Sequence, residues 1–162
     1  MKKLWSLIFL VCVLVVSSYA RIAPPEAMLV DKFGDVCCED EMARLDNFAI
    51  AVQNNPDAQA YIVFYGGRRH SFPSCQRGQQ RLPRHGEAEA RVARLRKYLV
   101  LRRGLDSNRI VVVNGGYRQQ WEAELWIVPK DSASPTPTPT INAQKIKFRK
   151  GKIKKSDYEC GI

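Results

Sequence analysis

The sequence lacks the short motifs through which small proteins most often handle redox, metal or phosphate chemistry. No Cys-x-x-Cys pair is present, which removes the dithiol redox reading. Adjacent Cys37 and Cys38, with Cys75 and a histidine, make a poor zinc set, because structural zinc ligands come in spaced pairs. Gly66-Gly67 and Gly115-Gly116 have neither the Lys-Ser/Thr ending of a phosphate loop nor GxGxxG spacing, and they read as turn glycines. No cofactor and no metal are expected. Acidic residues are scarce too, 16 Asp+Glu against 26 Lys+Arg. Beyond residue 20 no apolar run approaches the roughly 20 residues of a transmembrane helix.

What is present begins with Met1-Lys2-Lys3, the apolar stretch LIFLVCVLVV and the small residues SSYA. A basic start, an apolar middle and a small-residue end before a cut after Ala20 are the parts of a secretory signal peptide. Residues 1–20 are therefore expected to be removed, and the protein to be periplasmic or secreted. Val11 precedes Cys12 where a lipoprotein signal needs a small residue, so soluble export is the expectation. Loss of Lys2 and Lys3 lowers the formal charge from +10 to +8. Such a surplus favours anionic polymers or surfaces as partners. Cys37, Cys38, Cys75 and Cys160 remain, an even set in an oxidising compartment, and disulfides are expected. Of three possible pairings, the vicinal one is disfavoured by geometry, and the other two stay open.

Residues 28–36 read as a first strand, with Gly34 at a bend. Leu45, Phe48, Ala49 and Val52 recur at helical spacing after the acidic opening Glu39-Asp40-Glu41, and Pro56 ends that helix. YIVFY (61–65) is a buried strand. A long loop, 66–85, precedes a second helix whose Ala88, Val92, Leu95 and Leu99 share one face and which Gly104 caps. IVVVN (110–114), a Gly-Gly-Tyr turn and WEAELWIVP (121–129) follow, the last two strands forming a hairpin. The predicted fold is an α/β (α+β) sandwich of order β-α-β-α-β-β, a mixed sheet with two helices on one face. That domain spans 21–131. SASPTPTPT (132–140) reads as an extended, solvated linker. The tail, 141–162, holds seven Lys/Arg and two Asp/Glu, with a small hairpin around Gly151.

The stretches LDNFAIAVQNNPDAQAYIVFYGG and ARVARLRKYLVLRRGLDSNRIVVVNGGY resemble the OmpA-like C-terminal domain, a peptidoglycan-binding module of bacterial envelopes. The likeness covers about residues 41–128. It implies the fold just described and a ligand carboxylate held by an arginine of the second helix, which falls on Arg91. The aspartate that would meet the ligand's amine falls near Arg69, a reversal of charge, so the implied site takes a carboxylate and repels an ammonium.

Arg68, Arg69, His70, Arg77, Arg81, Arg84 and His85 lie beyond the carboxyl end of a strand, where open sheets place ligands. Arginine forks suit carboxylate, phosphate or sulfate. The resulting expectation is a non-catalytic binding or scaffolding module of the envelope, holding an anionic cell-wall, glycan or lipid ligand through Arg91, Arg68, Arg69 and Arg84, with envelope proteins as further partners. The tail lacks the aromatic interleaving of base-stacking surfaces, so specific nucleic acid is not expected. A rival reading makes His70 and His85 the acid and base of a small secreted phosphodiester hydrolase. A third is a purely structural envelope protein.

Overall fold

Four strands and two helices follow one another along the chain in the order the apolar periodicities imply: β1 Met28–Phe33, α1 Cys38–Gln53, β2 Gln59–Arg69, α2 Glu87–Arg103, β3 Ile110–Gln120 and β4 Glu122–Val128. The computed structural model describes residues 25–69 and 80–159. The signal peptide, His70, Cys75, Arg77 and Cys160 lie outside them.

Local chemistry sets the helix ends. Glu39, Asp40 and Glu41 occupy the first turn of α1, where the positive end of the helix dipole favours them. Gly104 closes α2 at φ 68°, a left-handed conformation that costs glycine little, and Leu105 donates back to the Leu99 carbonyl at 3.1 Å. Arg109, just before β3, clamps the end of α1. Its guanidinium donates to the carbonyls of Val52, Asn55 and Ala58 at 3.0, 2.7 and 2.9 Å.

The fold is α+β, a four-stranded mixed sheet of order β1-β4-β2-β3 with both helices against one face. β2 and β3 are parallel, joined through α2, while β4 is antiparallel to both β1 and β2. Leu45, Phe48 and Val52 of α1 and Val92, Leu95 and Leu99 of α2 meet Ala60, Ile62, Phe64, Ala123, Leu125 and Ile127 of the sheet in one core. No described helix is long and apolar enough to cross a membrane.

The expected hairpin between the last two strands does not form. β3 and β4 lie on opposite sides of β2, joined only by Trp121, so the chain has to cross β2 in a single residue. Both glycine pairs, expected as turns, instead lie inside strands and make that crossing possible. A Cβ on Gly67 would stand 2.5 Å from the Trp121 nitrogen and 2.9 Å from the Gln120 carbonyl carbon. Gly66 carries the Tyr117 ring and Gly115 carries the Tyr65 ring, in each case where a Cβ would stand under 3 Å from ring carbons. The 66–85 loop is correspondingly shorter, since β2 runs on to Arg69. β4 has a central strand's composition: Ala123, Glu124, Leu125, Ile127 and Val128 are buried, with residues from both faces among them.

The sheet's other face is covered by the Pro/Thr stretch. Asp131, at φ 67°, sits in a turn in which Ser132 donates to the Pro129 carbonyl at 3.1 Å, and the chain doubles back. The Ser134 hydroxyl meets the Tyr61 hydroxyl at 3.1 Å, and the Thr138 amide donates to the Tyr65 hydroxyl at 3.1 Å. Proline-rich extended chain and β-strand both advance about 3.1–3.4 Å per residue, so the stretch keeps step with β2. Val63 and Tyr65, on this face, are fully buried. The segment expected to be a solvated linker is thus extended but strapped to the sheet. The small hairpin expected around Gly151 is absent among the described residues; short 3-10 turns at Ala143–Lys145 and Lys155–Asp157 stand there instead.

Because the obstacle at Gly67 is backbone rather than a movable side chain, Gly67→Ala is expected to destabilise the domain by about 2–3 kcal/mol. Denaturant unfolding with an unchanged slope checks this.

Candidate functional site

Three of the four arginines read as ligand contacts converge. Arg69, Arg84 and Arg91 line one small cavity of about 80 Å³, together with His85, Glu87, Tyr117, Trp121 and Phe148. Arg68, next to it in β2, is exposed and is not among the lining residues. β2 delivers Arg69 at its carboxyl end and α2 delivers Arg91 from its second turn. Trp121 is brought over Arg91 by the chain crossing, its ring 3.9 Å from the guanidinium carbon.

Arg91 does not meet solvent. It is fully buried, and its guanidinium is paired with the Asp35 carboxylate from the segment between β1 and α1. Burial pulls its pKa down, and Asp35 opposes that pull. Beside it, Arg94 pairs with Glu41, itself fully buried in the first turn of α1. Two buried acids and two arginines thus tie the start of α1 to the first half of α2. The carboxylate that the resemblance assigns to a ligand is supplied at Arg91 by the chain itself. Sequence reading misses Asp35 because it falls within the first strand as read from sequence, which ends at Phe33, and nothing local links it to a helix 56 residues on.

Arg84 is also committed. Asp157 of the tail, 3% exposed, accepts from Arg84 at 3.2 Å, from Arg81 at 2.9 Å and from Arg149 at 2.5 Å. Arg84 further donates to the Lys150 carbonyl at 2.5 Å, and its amide donates to buried Glu87 at 3.0 Å. Phe148 stacks on the His85 ring at 3.8 Å, and Arg149 donates its amide to the Pro83 carbonyl at 3.0 Å. The tail therefore docks along the end of the loop and the start of α2. Its available signal in the sequence was scarcity: Asp157 is one of two acids in a segment of seven cations.

The consequence is one basic region rather than two. Arg68 and Arg69 are exposed and make no ion pair among the described residues, and the exposed Lys147, Lys150, Lys152 and Lys154 belong to the segment folded against Arg84 and His85. Burial first, and then the Glu89 carboxylate, push the Tyr117 hydroxyl above the ordinary tyrosine value, so it remains a neutral phenol at the cavity wall. Cys37 caps α1 and Cys38 opens it, and both have partners.

Comparison with protein-family models finds no match for this chain, and comparison with curated proteins finds none either.

Two outcomes are expected. Arg91→Met takes the guanidinium away from the buried Asp35 carboxylate and should cost about 3–5 kcal/mol, whereas Arg91→Met with Asp35→Leu should recover most of that loss in denaturant unfolding. For Asp157, burial raises the carboxyl, but the Lys154 amide and the Arg149 and Arg81 guanidinium groups outweigh it, and the net pKa is lowered. Its contribution is therefore complete above the ordinary aspartate pKa of about 3.9 and fades as pH falls through the lower folded value. Amide protection factors across residues 145–157, taken relative to the intrinsic exchange rate at each pH, should fall in that acid window, and Asp157→Asn should lower them already at neutral pH.

Proposed function

We propose that the protein is an exported, non-catalytic binding or scaffolding module of the bacterial envelope, which holds an anionic cell-wall or surface ligand on the basic region at the carboxyl end of β2. The observation that carries this reading is that Arg68 and Arg69 are exposed and make no ion pair among the described residues, beside an arginine-lined cavity. Arg84 and Arg91, whose charges face internal carboxylates, act here as supports for the region, and Arg69 and the tail lysines are its open contacts. The likeness to OmpA-like domains supplies the cell-wall context.

Within this reading the ligand is a polyanion rather than one snugly held group, because the contacts are exposed and spread out. Exposed charge pairs contribute little singly and are screened by salt. His85, stacked on Phe148, serves to seat the tail. Two disulfides among Cys37, Cys38, Cys75 and Cys160 are part of the proposal; four free thiols titrated in the oxidised exported protein would remove them.

Retention on isolated cell wall at low and moderate salt tests the binding. Arg68→Ala with Arg69→Ala should lower retention about 3- to 10-fold at low salt without altering stability. Equal retention by the variant and the wild type would remove the anionic-ligand reading and leave scaffolding through protein contacts.

A further inference from the structure

A second cavity, of about 580 Å³, lies on the outer face of α2, between that helix and the tail segment Lys155–Glu159. It is separate from the arginine-lined cavity and shares no residue with it. On α2 the positions 90, 94, 97 and 101 stand opposite the core stripe 88, 92, 95 and 99. An outward helix face is ordinarily polar. Here it carries Ala90 and Leu101, with Ala93 beside them, and Leu101 is 67% exposed. The two alanines leave the floor of the groove low, and Tyr158 of the tail forms its far wall.

Charge is placed at the edges. Arg94 is committed to Glu41, and the Tyr98 hydroxyl donates to Asp46 at 2.8 Å. Lys97 and Arg102 make no ion pair among the described residues, and Lys155 stands 4.0 Å from Glu159 at 81% side-chain exposure. An apolar floor with unpaired cations at its rim matches a ligand with an apolar body and a negative end. The volume falls in the range of about 300–1,000 Å³ typical of small-molecule sites.

We infer that this groove binds a single-chain amphiphile with an anionic head, its chain along Ala90, Ala93 and Leu101 and its head toward Lys97 and Arg102. The complementarity decides against a cationic or neutral amphiphile. It also decides against a second copy of this basic chain, which would bring like charge to the rim.

Calorimetric titration of the full exported chain, below the micelle concentration, tests this with dodecanoate, dodecyltrimethylammonium and acetate. Dodecanoate should bind one per chain, and the other two should bind at least about tenfold more weakly. Leu101→Glu, at an exposed position that leaves the core intact, should weaken dodecanoate about tenfold or more, and Ala93→Trp, which fills the floor, should do the same. Arg68→Ala with Arg69→Ala should leave it unchanged, which separates this site from the basic region. Equal binding of the cationic amphiphile, undiminished binding in both groove variants, loss in the Arg68/Arg69 variant, or a dimer in sedimentation that Leu101→Glu dissociates would each overturn the assignment.

Discussion

The crossing of the chain over β2 at Gly67 is the constraint from which the rest of the molecule follows. β3 is fixed beside β2 by the parallel connection through α2, yet β4 pairs on β2's other side, and Trp121 alone spans the change. That passage requires backbone to approach backbone more closely than any side chain allows, so glycine stands there. Its by-product is the position of Trp121, which is laid over Arg91 and closes the floor of the arginine-lined cavity. Sheet order and site geometry are thus one event.

Buried charge is the second organising element. Asp35, Glu41, Arg91 and Arg94 lie between the helices, and Asp157 gathers Arg81, Arg84 and Arg149 at the edge. Ions removed from water are tolerated when each finds an opposite partner, and loss of one partner leaves the other at high cost. Such pairs specify a unique arrangement: which segment precedes α1, and where the tail comes to rest. They also divide the arginines of a strongly basic chain into structural ones and open ones. Charge counted along the sequence makes no such division.

The Pro/Thr stretch and the tail act as a continuation of the domain. A four-stranded sheet with helices on one face leaves the other wet unless something covers it, and Val63 and Tyr65 are apolar there. An extended, proline-stiffened chain loses little entropy on docking and matches the rise of the strand beneath it. The strap then carries the tail to the start of α2, where Asp157 holds it, and the groove on the outer face of α2 exists because the tail forms one wall of it.

By itself the sequence determined the six elements and their order, because each rests on local rules: apolar period 3.6 in residues 38–53 and 87–103, compact β-branched runs at 61–65 and 110–114, and caps at Pro56 and Gly104. It also determined the basic balance and the arginine clustering, which are matters of composition. Tertiary structure alone decided that β4 is central, that the paired glycines are crossing points rather than turns, and that Arg91 and Arg84 spend their charge on Asp35 and Asp157. Those partners lie 56 and 73 residues away along the chain. No periodicity spans such distances, since the pairing depends on which surfaces the sheet brings together rather than on neighbouring residues.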